Sequence, residues 1–114
     1  MNKNPSFEFF IAGVQFHQAN TVLNDMLKGH QLKMVSEPTN KYDPNAVQLI
    51  FQLDDKSTML GYVPKKFSAS VSAFLEYADN PICTLTEVNK TAKKWKQLKV
   101  IISDGDLEEE TEDA

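Results

Sequence analysis

Between Asn45 and Leu53 apolar side chains fall on every second position, with Val47, Leu49, Phe51 and Leu53 on one face and Gln48 and Gln52 on the other. Period two is the spacing of a strand that buries one face, whereas a helix would scatter those residues around its circumference. The preceding segment, Glu37-Pro38-Thr39-Asn40-Lys41-Tyr42-Asp43-Pro44, is polar and rich in turn formers, and an extended run from about Gln31 to Glu37 leads into it. A hairpin with an elaborated loop follows from this order.

The rest of the chain supplies further short strands. Phe7, Phe9 and Ile11 alternate with Glu8, Phe10 and Ala12, which predicts a central, curved strand with apolar side chains on both faces, ending near Gly13. Val22, Leu23, Met26 and Leu27 fit a short helix over 21–27, closed by Gly29. Asp54-Asp55-Lys56-Ser57 forms the next turn, and Thr58 to Val63 returns as a strand. Pro64 suits the first residue of a helix whose apolar stripe is Phe67, Val71, Phe74, Leu75 and Ala78, and Asp79-Asn80-Pro81 stops it. Strands from Ile82 to Val88 and from Trp95 to Ile102, joined by the lysine-rich segment 89–94, complete the unit. Connections this short exclude βαβ crossovers. The expected fold is mainly β (α+β), a small curved antiparallel sheet of about six strands closed or nearly closed into a barrel, with one main helix and one short helix.

A chain of 114 residues accommodates one core and not two. Residues 1–5 read as a flexible N-terminus, 6–103 as the folded domain, and 104–114 as an acidic disordered tail. The single Cys83 excludes an internal disulfide and fits a small core residue. The sequence contains no apolar run of signal-peptide or membrane-spanning length, so a cytoplasmic, soluble protein is the expectation.

The net charge of −4 hides a division, because seven of the sixteen acids lie in residues 104–114. Over residues 1–103 twelve lysines face nine acids, and the chain has no arginine. An all-lysine cation set suits point-charge contacts with phosphates better than bidentate reading of base edges. Lys65 and Lys66 fall in the first turn of the main helix, where the macrodipole disfavours cations but backbone N–H groups and ammonium groups together favour a phosphate. Solvated lysines are the simpler account of the same residues. Asp43-Pro44-Asn45 is likewise ordinary turn chemistry, and core packing is the default for Phe16, Tyr42 and Tyr62, although a nucleobase can stack on such rings when they are exposed. His17 and His30 lie in no metal-ligand spacing, and there is no phosphate-binding glycine loop, nucleophile elbow or paired-metal acidic cluster. No catalytic constellation or cofactor site is assembled, so an enzyme is not expected.

Three blocks, Phe10-Ile11-Ala12-Gly13-Val14-Gln15-Phe16-His17, then Glu37-Pro38-x-Asn40-x-x-Asp43-x-x-Ala46-Val47, then Leu60-Gly61-Tyr62-Val63-Pro64, occur in an order and spacing that resembles the HIRAN domain over about residues 7–102. HIRAN domains are known as modules of DNA helicases and translocases, as fusions to other DNA-processing domains, and as stand-alone bacterial and phage proteins, and this chain looks like the stand-alone type. The resemblance implies an OB-like or SH3-like barrel and a non-catalytic role in binding single-stranded DNA at a free 3′ end. Carried over by motif, Tyr42 and Asp43 take the stacking and 3′-hydroxyl roles, Phe16 is the aromatic after the Gly13-Val14 bend, and Tyr62 and Lys65 face the strand; with His17 and Lys66 these are the expected nucleic-acid-binding residues.

Two positions depart from the end-binding members. Gln15 stands in place of an arginine and cannot neutralise a phosphate, and His17 stands in place of a tyrosine. Weaker binding or a different ligand is the consequence. The implied partners are single-stranded DNA or DNA ends and a helicase or nuclease positioned there, without membrane or small-molecule cofactor. A second reading makes the barrel a protein-interaction adaptor whose acidic tail is the contact segment. On a DNA binder the same tail would either solubilise the chain or compete for the basic groove as a phosphate mimic.

Overall fold

The computed structural model describes residues 5–105. In chain order the elements are strand β1 (Phe7–Phe10), a 3-10 turn (Val14–Phe16), helix α1 (Ala19–Val22), a second 3-10 turn (Leu23–Asp25), strands β2 (Gln31–Ser36), β3 (Val47–Leu53) and β4 (Lys56–Tyr62), helix α2 (Lys65–Tyr77), strand β5 (Pro81–Val88), a third 3-10 turn (Lys94–Lys96) and strand β6 (Leu98–Asp104). The six strands form one antiparallel sheet in the order β1-β6-β5-β2-β3-β4. β2 meets β5 only at Gln31↔Thr84 and Leu32↔Cys83, so the sheet consists of two halves joined by a short seam. Register shifts at Leu49/Ile50 and Leu85/Glu87 mark irregularities of the kind that bend a strand.

The alternation that defined β3 points inward as expected for Val47, Leu49 and Phe51, all buried, while Leu53 at the strand end is exposed. α2 lies against the same core with Ser68, Val71 and Phe74 buried. Phe74 meets the Phe7 ring edge-on at 5.6 Å, and Phe67 stacks on Phe9 at the same centroid separation. Burial pushes the Cys83 thiol up to about 12, which leaves it an inert core residue. No helix among the described residues is long and apolar enough to cross a membrane.

The structure corrects several sequence expectations. The sheet is not closed into a barrel: β1 and β4 are its two edges, and one isolated bridge, Ala12↔Tyr62, connects the chain beyond β1 to β4. β1 is accordingly an edge strand and not a central one. Its two apolar faces arise because Phe7 and Phe9 sit under α2, while Lys99 Nζ lies 5.4 Å from the centroid of Phe10 on the other face. The helix expected over 21–27 starts earlier and is broken into α1 and a 3-10 turn, where Thr21 Oγ1 donates to the Gln18 carbonyl and Met26 is already extended. Pro64 stands at the N-cap of α2, one position before the helix proper. Trp95 belongs to the third 3-10 turn, held by Asn89 N donating to the Gln97 carbonyl and Gln97 Nε2 donating to the Lys90 carbonyl, so β6 starts only at Leu98. β6 also runs through Asp104, a residue assigned to the tail, whose carboxylate accepts from Asp79 N and Asn80 N. The remaining tail residues, 106–114, lie outside the described residues, as does most of the 1–5 segment.

The Ala12–Tyr62 bridge consists of two backbone hydrogen bonds of 2.9 Å, one in each direction. It needs Gly61. A Cβ at that position would stand 2.3 Å from the Ala12 carbonyl oxygen and 2.8 Å from Ile11 Cγ2. Gly61→Ala should therefore cost about 1–3 kcal/mol through overpacking against backbone that has nowhere to move. Urea denaturation measures it, and an unchanged midpoint would show that the two edges separate freely.

Candidate functional site

Three segments converge at one end of the sheet because of that bridge. Ala12 is paired to Tyr62, so the Val14–Phe16 turn and His17 stand beside the end of β4. Gln48 is registered opposite Tyr62, and Glu37 N donates to the Ala46 carbonyl, which brings both ends of the 37–46 loop to the same place. Three residues past Tyr62 the chain enters α2, so Lys65 is close in sequence to the same corner.

The side chain that organises this end is Glu37. Its Oε1 accepts from Asn40 Nδ2 at 2.7 Å and from the Tyr62 hydroxyl at 2.8 Å, and its Oε2 accepts from Gln48 Nε2. Asn40 passes the constraint outward: its Oδ1 accepts from Tyr42 N at 2.8 Å and Asp43 N at 3.0 Å. The Asn40 bond first, then the Tyr62 bond, hold the Glu37 carboxyl below its ordinary value of 4.5, with burial opposing them and Gln48 and His17 adding to the lowering. Burial, followed by the bond to Glu37 and its charge, raises the Tyr62 hydroxyl above its ordinary value of 10.0. Both directions describe one state, an ionised Glu37 accepting from a neutral Tyr62.

Around this clamp the expected site residues divide. Phe16 and Tyr42 are 78% and 85% exposed, which leaves both ring faces accessible. His17 is half-buried and packs edge-on to Tyr62 at 5.8 Å. Tyr62 is half-buried with its hydroxyl occupied by Glu37. Asp43 Oδ1 accepts from Asn45 N at 2.9 Å, the expected turn chemistry, and among the described residues no donor engages Oδ2. Lys65 and Lys66 are exposed in the first turn of α2, an end without a side-chain cap or an acid. Lys66 is directed elsewhere, 5.3 Å from the Phe67 ring centroid, and lines a groove with Phe10, Trp95 and Lys99.

Trp95 is an exposed aromatic that the strand assignment concealed. It is 54% exposed, its 3-10 turn packs against Val14–Phe16, and Lys93 Nζ stands 5.6 Å from its ring centroid. The available signal was a lone tryptophan among Lys93, Lys94 and Lys96. His30, by contrast, serves the fold: its Nδ1 accepts from Leu27 N at 3.0 Å and its ring meets Phe51 at 5.4 Å. Among the described residues no group of three or more histidine, cysteine or acidic side chains could hold a metal ion.

The HIRAN domain family model matches residues 5–103. The chain belongs to the HIRAN domain family. The human HLTF HIRAN domain crystal structure is 12% identical to this HIRAN domain with a TM-score of 0.65, covering 89% of this chain and 76% of that one. A crystal structure of a Lactobacillus plantarum protein is 14% identical with a TM-score of 0.67, covering 87% and 94%. These likenesses establish the fold. No curated protein matches the chain in sequence.

Because the folded-state pKa of Glu37 is depressed, its stabilising contribution is present above the ordinary carboxylate value and disappears as pH falls through the lower folded value. Glu37→Gln should lose about 1–3 kcal/mol at neutral pH by leaving hydrogen-bonding groups badly paired. The gap to the unsubstituted protein should narrow as pH falls below the ordinary carboxylate value of 4.5 and through the lower folded value. Urea midpoints compared across that range test this, and a gap of constant size would mean that the charge of Glu37 is irrelevant.

Proposed function

We propose that this HIRAN domain is a non-catalytic module that binds single-stranded DNA or free 3′ DNA ends and positions a DNA-processing partner there, a helicase or nuclease. The observation that carries the reading is the pair of rings, Phe16 and Tyr42, exposed on turns that hydrogen bonds hold in place. Exposed aromatics stack on any base, so binding is sequence-tolerant. Trp95 adds a third exposed ring, on the turn that packs against Val14–Phe16, with Lys93, Lys94 and Lys96 beside it in sequence and Lys65 at the start of α2 as point charges for phosphates.

Asp43 supplies the end preference in this reading. With Oδ1 committed to Asn45 N, Oδ2 is the atom that accepts from a terminal hydroxyl, and a 3′-phosphate in its place meets a like charge. His17 and Tyr62 pack edge-on against each other, so in this reading they support the neighbouring turns rather than stack on a base. Gln15 is exposed on the same turn and contributes no charge, so affinity rests on lysine contacts and stacking.

Fluorescence anisotropy with short single strands ending in a 3′-hydroxyl or a 3′-phosphate, at low and physiological salt, tests the proposal. Tighter binding to the hydroxyl end is expected, weakening steeply with salt. Tyr42→Ala should weaken both strands by about tenfold, the loss of one stacking partner. Asp43→Asn keeps an oxygen for Asn45 N and should remove only the end preference. No binding at low salt would overturn the reading and favour the protein-interaction adaptor instead.

A further inference from the structure

Between β1, the start of α2 and the third 3-10 turn lies a groove of about 460 Å³, lined by Phe10, Pro64, Lys66, Phe67, Trp95 and Lys99 together with Glu8. Two of its walls carry a lysine over a ring, Lys66 over Phe67 at 5.3 Å and Lys99 over Phe10 at 5.4 Å, and beside the groove Lys93 stands 5.6 Å from the ring of Trp95. An ammonium resting on a ring face keeps donors directed away from the ring, so each pair offers an apolar surface and a cation side by side. Lys99 is partly neutralised by Glu8, whose Oε2 lies 3.8 Å from its Nζ, so an acidic ligand must compete with that exposed pair. A ligand complementary to the groove is acidic with an apolar side chain or two.

The chain carries such a segment. Residues 106–114 read Asp-Leu-Glu-Glu-Glu-Thr-Glu-Asp-Ala, with six acids, no cation and Leu107 among them. Gly105, at a φ of +94° that other residues rarely adopt, turns the chain at the end of β6 where this segment begins. β6 pairs with β1, Phe10 facing Lys99, so the groove lies back along β6 from that turn. The six residue steps from Lys99 to Gly105 span about 20 Å of strand. Nine residues of extended chain reach about 30 Å, enough to return along the β1 edge to Lys99 and Trp95.

We propose that residues 106–114 dock in cis into this lysine-and-aromatic groove, cover Trp95, and regulate the domain by competing with its anionic ligand. The docking stands on the groove alone, while the competition rests on the nucleic-acid reading above. Exposed ion pairs are individually weak, so the contact depends on the high effective concentration that a short tether gives, and it is populated partially rather than locked. A ligand with a stronger charge array displaces it.

Trp95 is the chain's single tryptophan and reports on the docking directly. Acrylamide, a neutral quencher, is applied to the full chain and to a full-length variant carrying D106N, E108Q, E109Q, E110Q, E112Q and D113N. At low salt the unsubstituted protein should be quenched about twofold less readily, as partial occupancy by a tethered segment requires. The difference should vanish in about 1 M salt, where charges are screened beyond about 3 Å. Lys99→Gln, with the acidic segment intact, should reduce the protection. Equal quenching at low salt overturns the proposal, and so does protection that grows with protein concentration, which would place the segment on a second copy. In a separate titration the neutralised variant should bind single-stranded DNA several-fold more tightly at low salt. Protection of Trp95 without that gain, or with no DNA binding by either protein, would keep the docking and reject the competition.

Discussion

Two backbone hydrogen bonds between Ala12 and Tyr62 determine where the rest of this domain can be. Without them the chain leaving the edge strand β1 would have no backbone tie to β4, and Phe16 and His17 would be placed against it by side-chain packing alone. With them, the chain leaving one edge of the sheet is fastened to the other edge, and the corner between the two holds the exposed rings. The fastening is local, one bridge and not a ladder, which is why the sheet stays open while the two edges remain in contact. Only a residue without a side chain permits the approach at Gly61. A backbone constraint of this kind is independent of any ligand and is in place before one arrives.

Glu37 performs the equivalent task with side chains. Polar loops are expensive to order, and a ten-residue loop between β2 and β3 would sample many conformations if held only at its ends. Here a half-buried carboxylate accepts three hydrogen bonds and ties the loop through Asn40 to Tyr62 and Gln48. Asn40 then orders the backbone at Tyr42 and Asp43. The order runs from the sheet outward. The residues that touch the sheet are engaged with one another, and those at the tip, above all Tyr42, are left open to solvent.

The sequence made the strands legible because one-sided burial writes period two into them, most plainly at Val47, Leu49 and Phe51. It was less informative where burial has an unusual cause. Apolar residues on both faces of β1 suggested a central strand, yet one face is covered by α2 and Phe10 on the other by a lysine, an arrangement that leaves no periodic trace. Trp95 continued an apolar-looking run into β6 but sits on a 3-10 turn fixed by Gln97 and Asn89, contacts between residues of no distinctive pattern. The loop motif contains both Glu37 and Asn40. What it could not indicate is that Glu37 bonds to Gln48 and Tyr62, because a partner eleven or twenty-five positions away is specified by strand register and not by spacing.

Exposed aromatic rings have a thermodynamic consequence that links the fold to its use. Phe16, Tyr42 and Trp95 contribute little to the core, and each presents apolar area to water that a ligand can remove. They stand on separate turns and not on one strand face, so they do not form the continuous apolar edge that invites another chain to pair with the sheet. The turns are hydrogen-bonded in advance, so a ligand that stacks on these rings does not have to order the backbone beneath them, and more of the stacking energy appears as affinity. On the proposed reading, a domain lacking arginine, with Gln15 uncharged on the Phe16 turn, draws less from directed phosphate contacts. Preorganised rings are then, on that reading, the term through which such a surface gains strength without gaining sequence preference.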